Sequence, residues 1–172
     1  LPFNNQWMSS SKQGAMNTPD GAFYFVNTPD PTTYEENNVS LMARRGAVIV
    51  TPTGVRFIAQ KREYVRLTAG ALGVRGMGPF DLTISDTAIT GTVDGDMRTL
   101  VVTYPPKLVR PMYHMDGARW YAGFADDPSF RTGLPAPQFG IAFAVTAGPH
   151  KVEIREWTYP ALPPAPARAK LE

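Results

Sequence analysis

Apolar and polar residues alternate in short runs along most of this chain. The clearest run covers residues 139–146, where large apolar side chains alternate with small residues. A period of two residues is typical of a β-strand that buries one face. No stretch keeps the helical 3.6-residue period over three turns, and at most a single helical turn is expected at Tyr34–Glu36. We therefore predict an all-β protein: an antiparallel β-sandwich or jelly roll of roughly nine to eleven short strands.

Turn-forming residues separate these runs and predict which strands are neighbours. Asp94-Gly95 is the strongest signal, because Asp-Gly favours a two-residue hairpin turn. It predicts a hairpin of residues 87–93 with 96–103, in which Ile89 lies opposite Leu100. Other turns are expected at Asn17–Asp20, Asn27–Asp30, Pro52-Thr53-Gly54, Asp116-Gly117 and Gly148-Pro149.

The pattern also predicts the domain organisation. Residues 1–20 lack apolar periodicity and are expected to form an irregular N-terminal arm, and residues 21–159 form a single β-sandwich domain. Residues 160–172 are rich in proline and alanine, which indicates an extended linker and tail beside an adjacent domain of the same chain. The chain begins with Leu1, as expected after removal of a signal peptide or within a longer protein.

Composition excludes several classes of function. Seventeen basic and fifteen acidic side chains leave a net charge of +2, and no large basic cluster indicates a nucleic-acid partner. The chain has no cysteine, which excludes disulfides and thiolate metal sites. No apolar run reaches the roughly 18 residues of a membrane span. Nucleophilic catalysis lacks a signature, since there is no Gly-x-Ser-x-Gly and no serine beside a histidine.

The segment Met112–Tyr121 is the main candidate for ligand binding. If Asp116-Gly117 is a two-residue turn, opposed residues share a face and the core face holds Tyr113, Met115, Ala118 and Trp120. The opposite face then holds Met112, His114, Arg119 and Tyr121. Aromatic rings stack on sugar rings, and Arg and His donate to hydroxyls or carboxylates, so this face suits a glycan. The alternative is that these are ordinary strand residues with Arg119 as a rim charge.

Trp157 and Arg155 form a second candidate surface. Alternation along residues 151–157 directs Val152 and Ile154 to the core and these two side chains outward. The strand is expected to pair with the row of small residues at 140, 142 and 144 and to leave a shallow groove there. The alternative is that Trp7 or Phe3 of the N-terminal arm covers Trp157.

The acidic residues and histidines indicate no defined metal site or cofactor. His114 with Asp116 is a weak metal pair, and His150 is expected to be a solvated turn residue. Asp126-Asp127 could bind a structural Ca²⁺ or, with Asp116, supply a glycosidase carboxylate pair, but a hydrated loop is the simpler interpretation. Asp94-Gly95-Asp96 is another candidate Ca²⁺ site.

Three segments of the C-terminal half resemble parts of a known class of module. They are the strand-turn-strand Thr90–Thr103, the Asp-Gly-x-x-Trp run Asp116–Trp120, and the closing segment Ala147–Ile154. This half of the chain resembles the accessory, carbohydrate-binding-module-like β-sandwich domains of bacterial secreted polysaccharide-active enzymes. The resemblance implies an extracellular or periplasmic module and a polysaccharide or oligosaccharide ligand.

Three hypotheses about function remain open. The first is a non-catalytic glycan-binding or accessory module of a larger secreted protein, with His114, Arg119, Tyr121, Trp157 and Arg155 as contact residues. The second is a structural or assembly domain of a surface or capsid protein. The third is a small β-sandwich hydrolase or lyase that uses His114, Arg119 and Tyr121 for acid–base chemistry and charge stabilisation.

Overall fold

The computed structural model describes residues 13–94, 98–120, 122–124 and 139–158, and these residues form strands and no helix. Consequently this part of the chain contains no helix able to cross a membrane. The strands are β1 (Gln13–Thr18), β2 (Gly21–Glu36), β3 (Val39–Thr51), β4 (Gly54–Ala59), β5 (Tyr64–Ala69), β6 (Leu72–Met77), β7 (Phe80–Ser85), β8 (Ile89–Val93), β9 (Arg98–Thr103), β10 (Pro111–Met115), β11 (Ala118–Arg119), β12 (Ala122–Phe124), β13 (Phe139–Val145) and β14 (His150–Glu156).

The strands form one antiparallel, strongly curled sheet with the shape of a half-barrel. The long strand β3 pairs with β2 along one edge, while its other edge pairs with β5 at residues 39–42 and with β4 at residues 46–51. Two wings therefore diverge from β3. Wing A has the order β4-β7-β8-β14-β10-β11, and wing B has the order β5-β6-β9-β13-β12. The predicted all-β antiparallel class is confirmed, but the curled sheet is not clearly a two-sheet sandwich.

Within the described residues, the chain changes wing six times after β4. The changes fall between β4 and β5, β6 and β7, β8 and β9, β9 and β10, β11 and β12, and β13 and β14. As a result, β11 and β12 lie at opposite ends of the strand order although only residues 120 and 121 separate them in sequence.

Two predicted strand pairings are wrong for this reason. Ile89 of β8 lies opposite Ile84 and Ile154 in wing A, whereas Leu100 of β9 lies opposite residues 76 and 143 in wing B. The Gly148-Pro149 turn likewise joins strands of different wings, so β14 does not pair with the small residues of β13. A turn sequence favours a reversal of chain direction, but it does not determine which strands form hydrogen bonds with each other. Here the strands on the two sides of each turn pair with other strands, in different wings.

The strands β2 and β3 are also longer than the turn pattern predicts. Asn27–Asp30 is a register irregularity inside β2, and Tyr34–Glu36 continues that strand and forms no helical turn. Strand β1 pairs with β2 and lies within the segment 1–20 for which the sequence predicts an irregular arm. The pairing of β2 with the long strand β3 satisfies the backbone hydrogen bonds of β2, and a turn preference that depends on neighbouring residues does not predict this pairing.

Two short hairpins form as predicted. Thr51 lies opposite Gly54 across the Pro52-Thr53 turn. His114 lies opposite Arg119 across Asp116-Gly117, where both turn residues have positive φ, 53° and 81°. Positive φ at both central positions is the requirement of a type I′ turn, and Asp-Gly satisfies it at low cost.

One main apolar core fills the inside of the curl and contains residues of both wings. Tyr113 of β10 and Phe143 of β13 meet there with ring centroids 5.0 Å apart. The Tyr113 hydroxyl also donates to the Ala144 carbonyl oxygen at 3.1 Å, so the two wings are joined across the core. A second, smaller cluster lies on the opposite face of β2–β4 and comprises Phe23, Phe25, Ala47, Ile49 and Ile58.

Candidate functional site

The outer face of wing A, which is the face turned away from the main core, carries a row of polar side chains. Val152 and Ile154 of β14 are buried in the core, so the alternate residues Lys151, Glu153 and Arg155 lie on the outer face. The strand register places Glu153 between His114 of β10 and Thr90 of β8. The predicted outward position of Arg155 is therefore confirmed.

A shallow groove of about 460 Å³ crosses this outer face over β8, β14 and β10. We call it the lateral groove. Its polar lining combines hydroxyl, imidazole and charged groups: Thr90, Thr92, His114, Lys151, Glu153 and Arg155. Thr90 and Thr92 are exposed, and Arg155 forms an ion pair with Glu153. The groove thus presents hydroxyl donors and acceptors together with charges of both signs.

Two of the predicted contact residues meet at one end of β14. The guanidinium carbon of Arg119 lies 5.5 Å from the centre of the Trp157 ring, a cation–π distance. Trp157 follows the end of β14, and its backbone N–H donates to the Arg110 carbonyl oxygen at 2.7 Å. The ring is half-buried and one of its faces is opposite Arg119. The prediction that Trp157 lies beside the small residues of β13 is therefore wrong.

The structure brings together four of the five predicted contact residues on wing A. His114 lies opposite both Arg119 and Glu153, and it lines the lateral groove with Arg155. The Nδ1 atom of His114 is buried and has no hydrogen-bond partner within the described residues. The fifth residue, Tyr121, lies outside the described residues, as do Trp7 and Phe3 of the predicted arm.

A cluster of hydrogen bonds joins the Asp116-Gly117 turn to the turn before β14. His150 Nδ1 lies 2.7 Å from Asp116 Oδ2, and the backbone N–H of Lys151 donates to Asp116 Oδ1 at 2.9 Å. On the other side of the ring, His150 Nε2 lies 3.0 Å from Thr146 Oγ1 and 3.1 Å from the Ala147 carbonyl oxygen. The side chain of His150 is only 15% exposed, so the prediction of a solvated turn residue is wrong.

This cluster favours a protonated histidine over a catalytic base. The hydrogen bond to Asp116 raises the pKa of His150, and the bonds from His150 and Lys151 lower the pKa of the Asp116 carboxyl. Asp116, His150 and Thr146 are arranged like the acid, base and nucleophile of a catalytic triad. However, the Ala147 carbonyl oxygen also accepts a hydrogen bond from His150 Nε2. An imidazolium that donates from both nitrogens cannot remove a proton from Thr146. We therefore assign the cluster to turn stability.

A larger groove of about 780 Å³ lies beside this cluster, at the ends of the wing A strands. We call it the end groove. Its polar and charged lining includes Arg45, Gln60, Asp94, Asp116, His150 and Lys151. The Nε atom of Arg45 is buried and lacks a hydrogen-bond partner among the described residues. The end groove therefore has acidic, basic and amide groups around an open space.

The described residues contain no group of three or more His, Asp or Glu side chains that could bind a metal ion. Asp116 is bonded to His150 and does not form a pair with His114. The candidate Ca²⁺ ligands Asp126, Asp127 and Asp96 lie outside the described residues.

No protein-family model, curated protein or solved structure matches this chain.

Sequence reasoning missed Thr90, Thr92 and Arg45 as groove residues. The predicted hairpin pairs residues 87–93 with residues 96–103, but β8, which carries Thr90 and Thr92, lies between β7 and β14. Arg45 lines the same end groove as His150 because β3 and β14 belong to one sheet, although more than a hundred positions separate the two residues. The only local signal was the alternation that exposes Lys151, Glu153 and Arg155.

Proposed function

We propose that this domain is a non-catalytic module that binds a glycan in the lateral groove of wing A. The observation that carries the proposal is the lining of that groove, where Thr90 and Thr92 stand beside His114, Lys151 and Glu153. Proteins recognise sugars through hydrogen bonds to the sugar hydroxyls and through stacking of the sugar ring on aromatic side chains. The hydroxyl, imidazole and charged side chains of the groove can make these hydrogen bonds. We further propose that the module is an accessory domain of a secreted, multidomain bacterial protein.

Trp157 supplies the aromatic element of the proposed site. Arg119 lies over one face of its ring, which fixes the ring plane beside the groove strand β14. In this proposal the indole ring packs against the C–H groups of a pyranose ring, which pack well on an aromatic surface. In this proposal Arg119 is a positioning residue and Trp157 a contact residue. Arg155 has the same role toward Glu153, with which it forms an ion pair.

The test is affinity electrophoresis through gels that contain single polysaccharides, followed by isothermal titration with oligosaccharides of any that bind. We expect retardation by at least one polysaccharide. The double variant Thr90→Val, Thr92→Val should weaken binding by about tenfold, because two hydrogen bonds of roughly 0.5–1.5 kcal/mol each are removed. Trp157→Ala should weaken it by a similar factor.

The matched control is Thr33→Val on β2, which changes an exposed threonine outside both grooves. Its affinity should equal that of the unmodified protein. If a broad set of neutral and acidic polysaccharides produces no retardation, the proposed function is wrong. If the threonine variants and the control bind equally, the ligand binds elsewhere.

A further inference from the structure

The lateral groove and the end groove are parts of one continuous surface. Thr92 and Lys151 line both of them. These two residues lie opposite each other on β8 and β14, so the strand pair forms a shared floor. We call the combined surface the composite groove.

The composite groove is long compared with a single sugar. Lys151 lies on β14 and Arg45 on β3, and the strand order between them runs through β8, β7 and β4. Four steps of about 4.8 Å between neighbouring strands give roughly 19 Å along the sheet. A ligand that contacts both ends must therefore be an oligomer or polymer.

Charged side chains of both signs line this groove, the basic Arg45, Lys151 and Arg155 and the acidic Asp81, Asp94, Asp116 and Glu153. Asp81 is bonded to Arg56 at 2.6 and 2.8 Å, Glu153 pairs with Arg155, and Asp116 pairs with His150. The remaining carboxylate, Asp94, also has an interaction partner. In contrast, the side chains of Arg45 and Lys151 make no ion pair within the described residues. Two cations therefore have no ion-pair partner among the described residues, one in the end groove and one on the shared floor.

We infer that the composite groove binds an extended anionic glycan, a chain that carries carboxylate or sulfate groups. This inference rests on the proposed function and specifies its ligand class. Lys151 and Arg45 would each meet an acidic group, and a guanidinium binds carboxylate or sulfate through two parallel hydrogen bonds. The threonine hydroxyls between them would bond to the neutral hydroxyls of the chain.

A nucleic acid is the competing anionic polymer, and the composite groove fits it less well. Single strands are bound by closely spaced cations and by several aromatic rings on which the bases stack. Among the described residues that line the composite groove, the only aromatic side chain is Phe80, which is buried in the core. The net charge of the whole chain is only +2.

Paired polymers that differ only in charge test the inference. The first pair is polygalacturonate and its methyl-esterified, neutral form, and the second is chondroitin sulfate and desulfated chondroitin. In gel electrophoresis and titration we expect at least one charged member to bind about tenfold tighter than its less charged partner. The preference should decrease as salt rises, since the contacts are exposed to solvent. Affinity for galacturonate oligomers should increase from the monomer to the hexamer.

Charge-removing variants locate the binding. Arg45→Gln and Lys151→Gln should each lower affinity for the preferred polyanion by about tenfold, the loss of one charge-assisted contact. Lys107→Gln removes an exposed cation outside both grooves and should have no effect. Thermal unfolding of each variant verifies that it is folded.

The outcomes separate the two proposals. If a neutral polymer binds as tightly as its charged partner and the two glutamine variants are unaffected, the anionic inference is overturned while glycan binding stands. If the Lys107 variant loses as much affinity as the others, binding reflects overall charge and the composite groove is not the site. If no polysaccharide binds, both proposals are wrong. If single-stranded DNA binds more tightly than every polysaccharide, both are also overturned.

Discussion

The contact between Tyr113 and Phe143 provides a direct test of how the two wings meet. Each ring lies in the core, Tyr113 at 2% and Phe143 at 0% exposure, and the centroids are 5.0 Å apart with the planes tilted by 51°. Replacement of both residues by leucine, singly and together, removes the ring pair but keeps apolar side chains in the core. Burial raises the pKa of Tyr113, so its hydroxyl stays a neutral donor over the accessible pH range.

The magnitudes follow from the contacts. Tyr113→Leu loses the hydrogen bond to Ala144, about 1 kcal/mol, in addition to the ring contact. Phe143→Leu loses the ring contact and some core volume, for a cost of about 1–3 kcal/mol. An aromatic pair contributes about 0.5–1.5 kcal/mol beyond its buried area, so the double variant should be less destabilised than the sum of the single variants by that amount.

Urea unfolding followed by tryptophan fluorescence measures all four proteins. The control cycle combines Tyr113→Leu with Met16→Ala, which changes a half-exposed side chain on β1, a strand that pairs with β2 and with neither β10 nor β13. We expect that control to be additive. A coupling below about 0.3 kcal/mol for Tyr113 with Phe143 would refute the packing of β10 against β13, and with it the joining of the two wings across the core.

Further predictions concern two glycines and one ion pair. Gly91→Ala should destabilise the protein by on the order of 3 kcal/mol or prevent folding, because φ is +154° and a Cβ would lie 1.9 Å from the Asp81 carbonyl oxygen. Gly117→Ala should cost only about 1 kcal/mol, since φ is +81° but no atom lies within 4 Å of its Cβ; equal losses of urea midpoint in the two variants would contradict this reasoning. Because folding raises the pKa of His150, its protonated form stabilises the folded protein fully below pH 6.5, the ordinary pKa of histidine. This stabilisation is lost as the pH rises through the higher pKa of the folded protein. Because folding lowers the pKa of Asp116, its carboxylate stabilises the folded protein fully above pH 3.8, the ordinary pKa. This stabilisation is lost as the pH falls through the lower pKa of the folded protein. The melting temperature of His150→Gln should therefore lie furthest below that of the unmodified protein between about pH 4 and 6.5, and a difference that is constant from pH 3 to 9 would argue against the ion pair.

The sequence predicted those features that depend on residues close together in the chain. Alternation in β14 assigned Val152 and Ile154 to the core, and both are buried. Asp116-Gly117 predicted the hairpin that sets His114 opposite Arg119, because the turn type and the register are determined by two adjacent residues. The inward position of Tyr113 followed from that register.

The sequence predicted the pairing of strands poorly, and for this reason it did not predict the shared floor of the composite groove. Asp94-Gly95 has the composition of a hairpin turn, yet Ile89 and Leu100 belong to different wings. Both residues are buried and apolar, so the alternation pattern is satisfied by either pairing. The contact of His150 with Asp116 depends on the pairing of β10 with β14, which no local motif encodes. Predicting the grooves required the strand order first.

The repeated change of wing has a consequence for how the chain reaches this structure. Strands β8 and β14 are adjacent in wing A, with Ile89 opposite Ile154, although β9 to β13 lie between them in sequence. Such distant pairings must close long loops before they gain contacts, so folding should be slow, on the order of milliseconds to seconds. During synthesis one edge of β8 and one edge of β10 stay unpaired until β14, which follows both in sequence, has left the ribosome. The shared floor of the composite groove is therefore completed late in folding, and a chain shortened before residue 150 should aggregate through those edges.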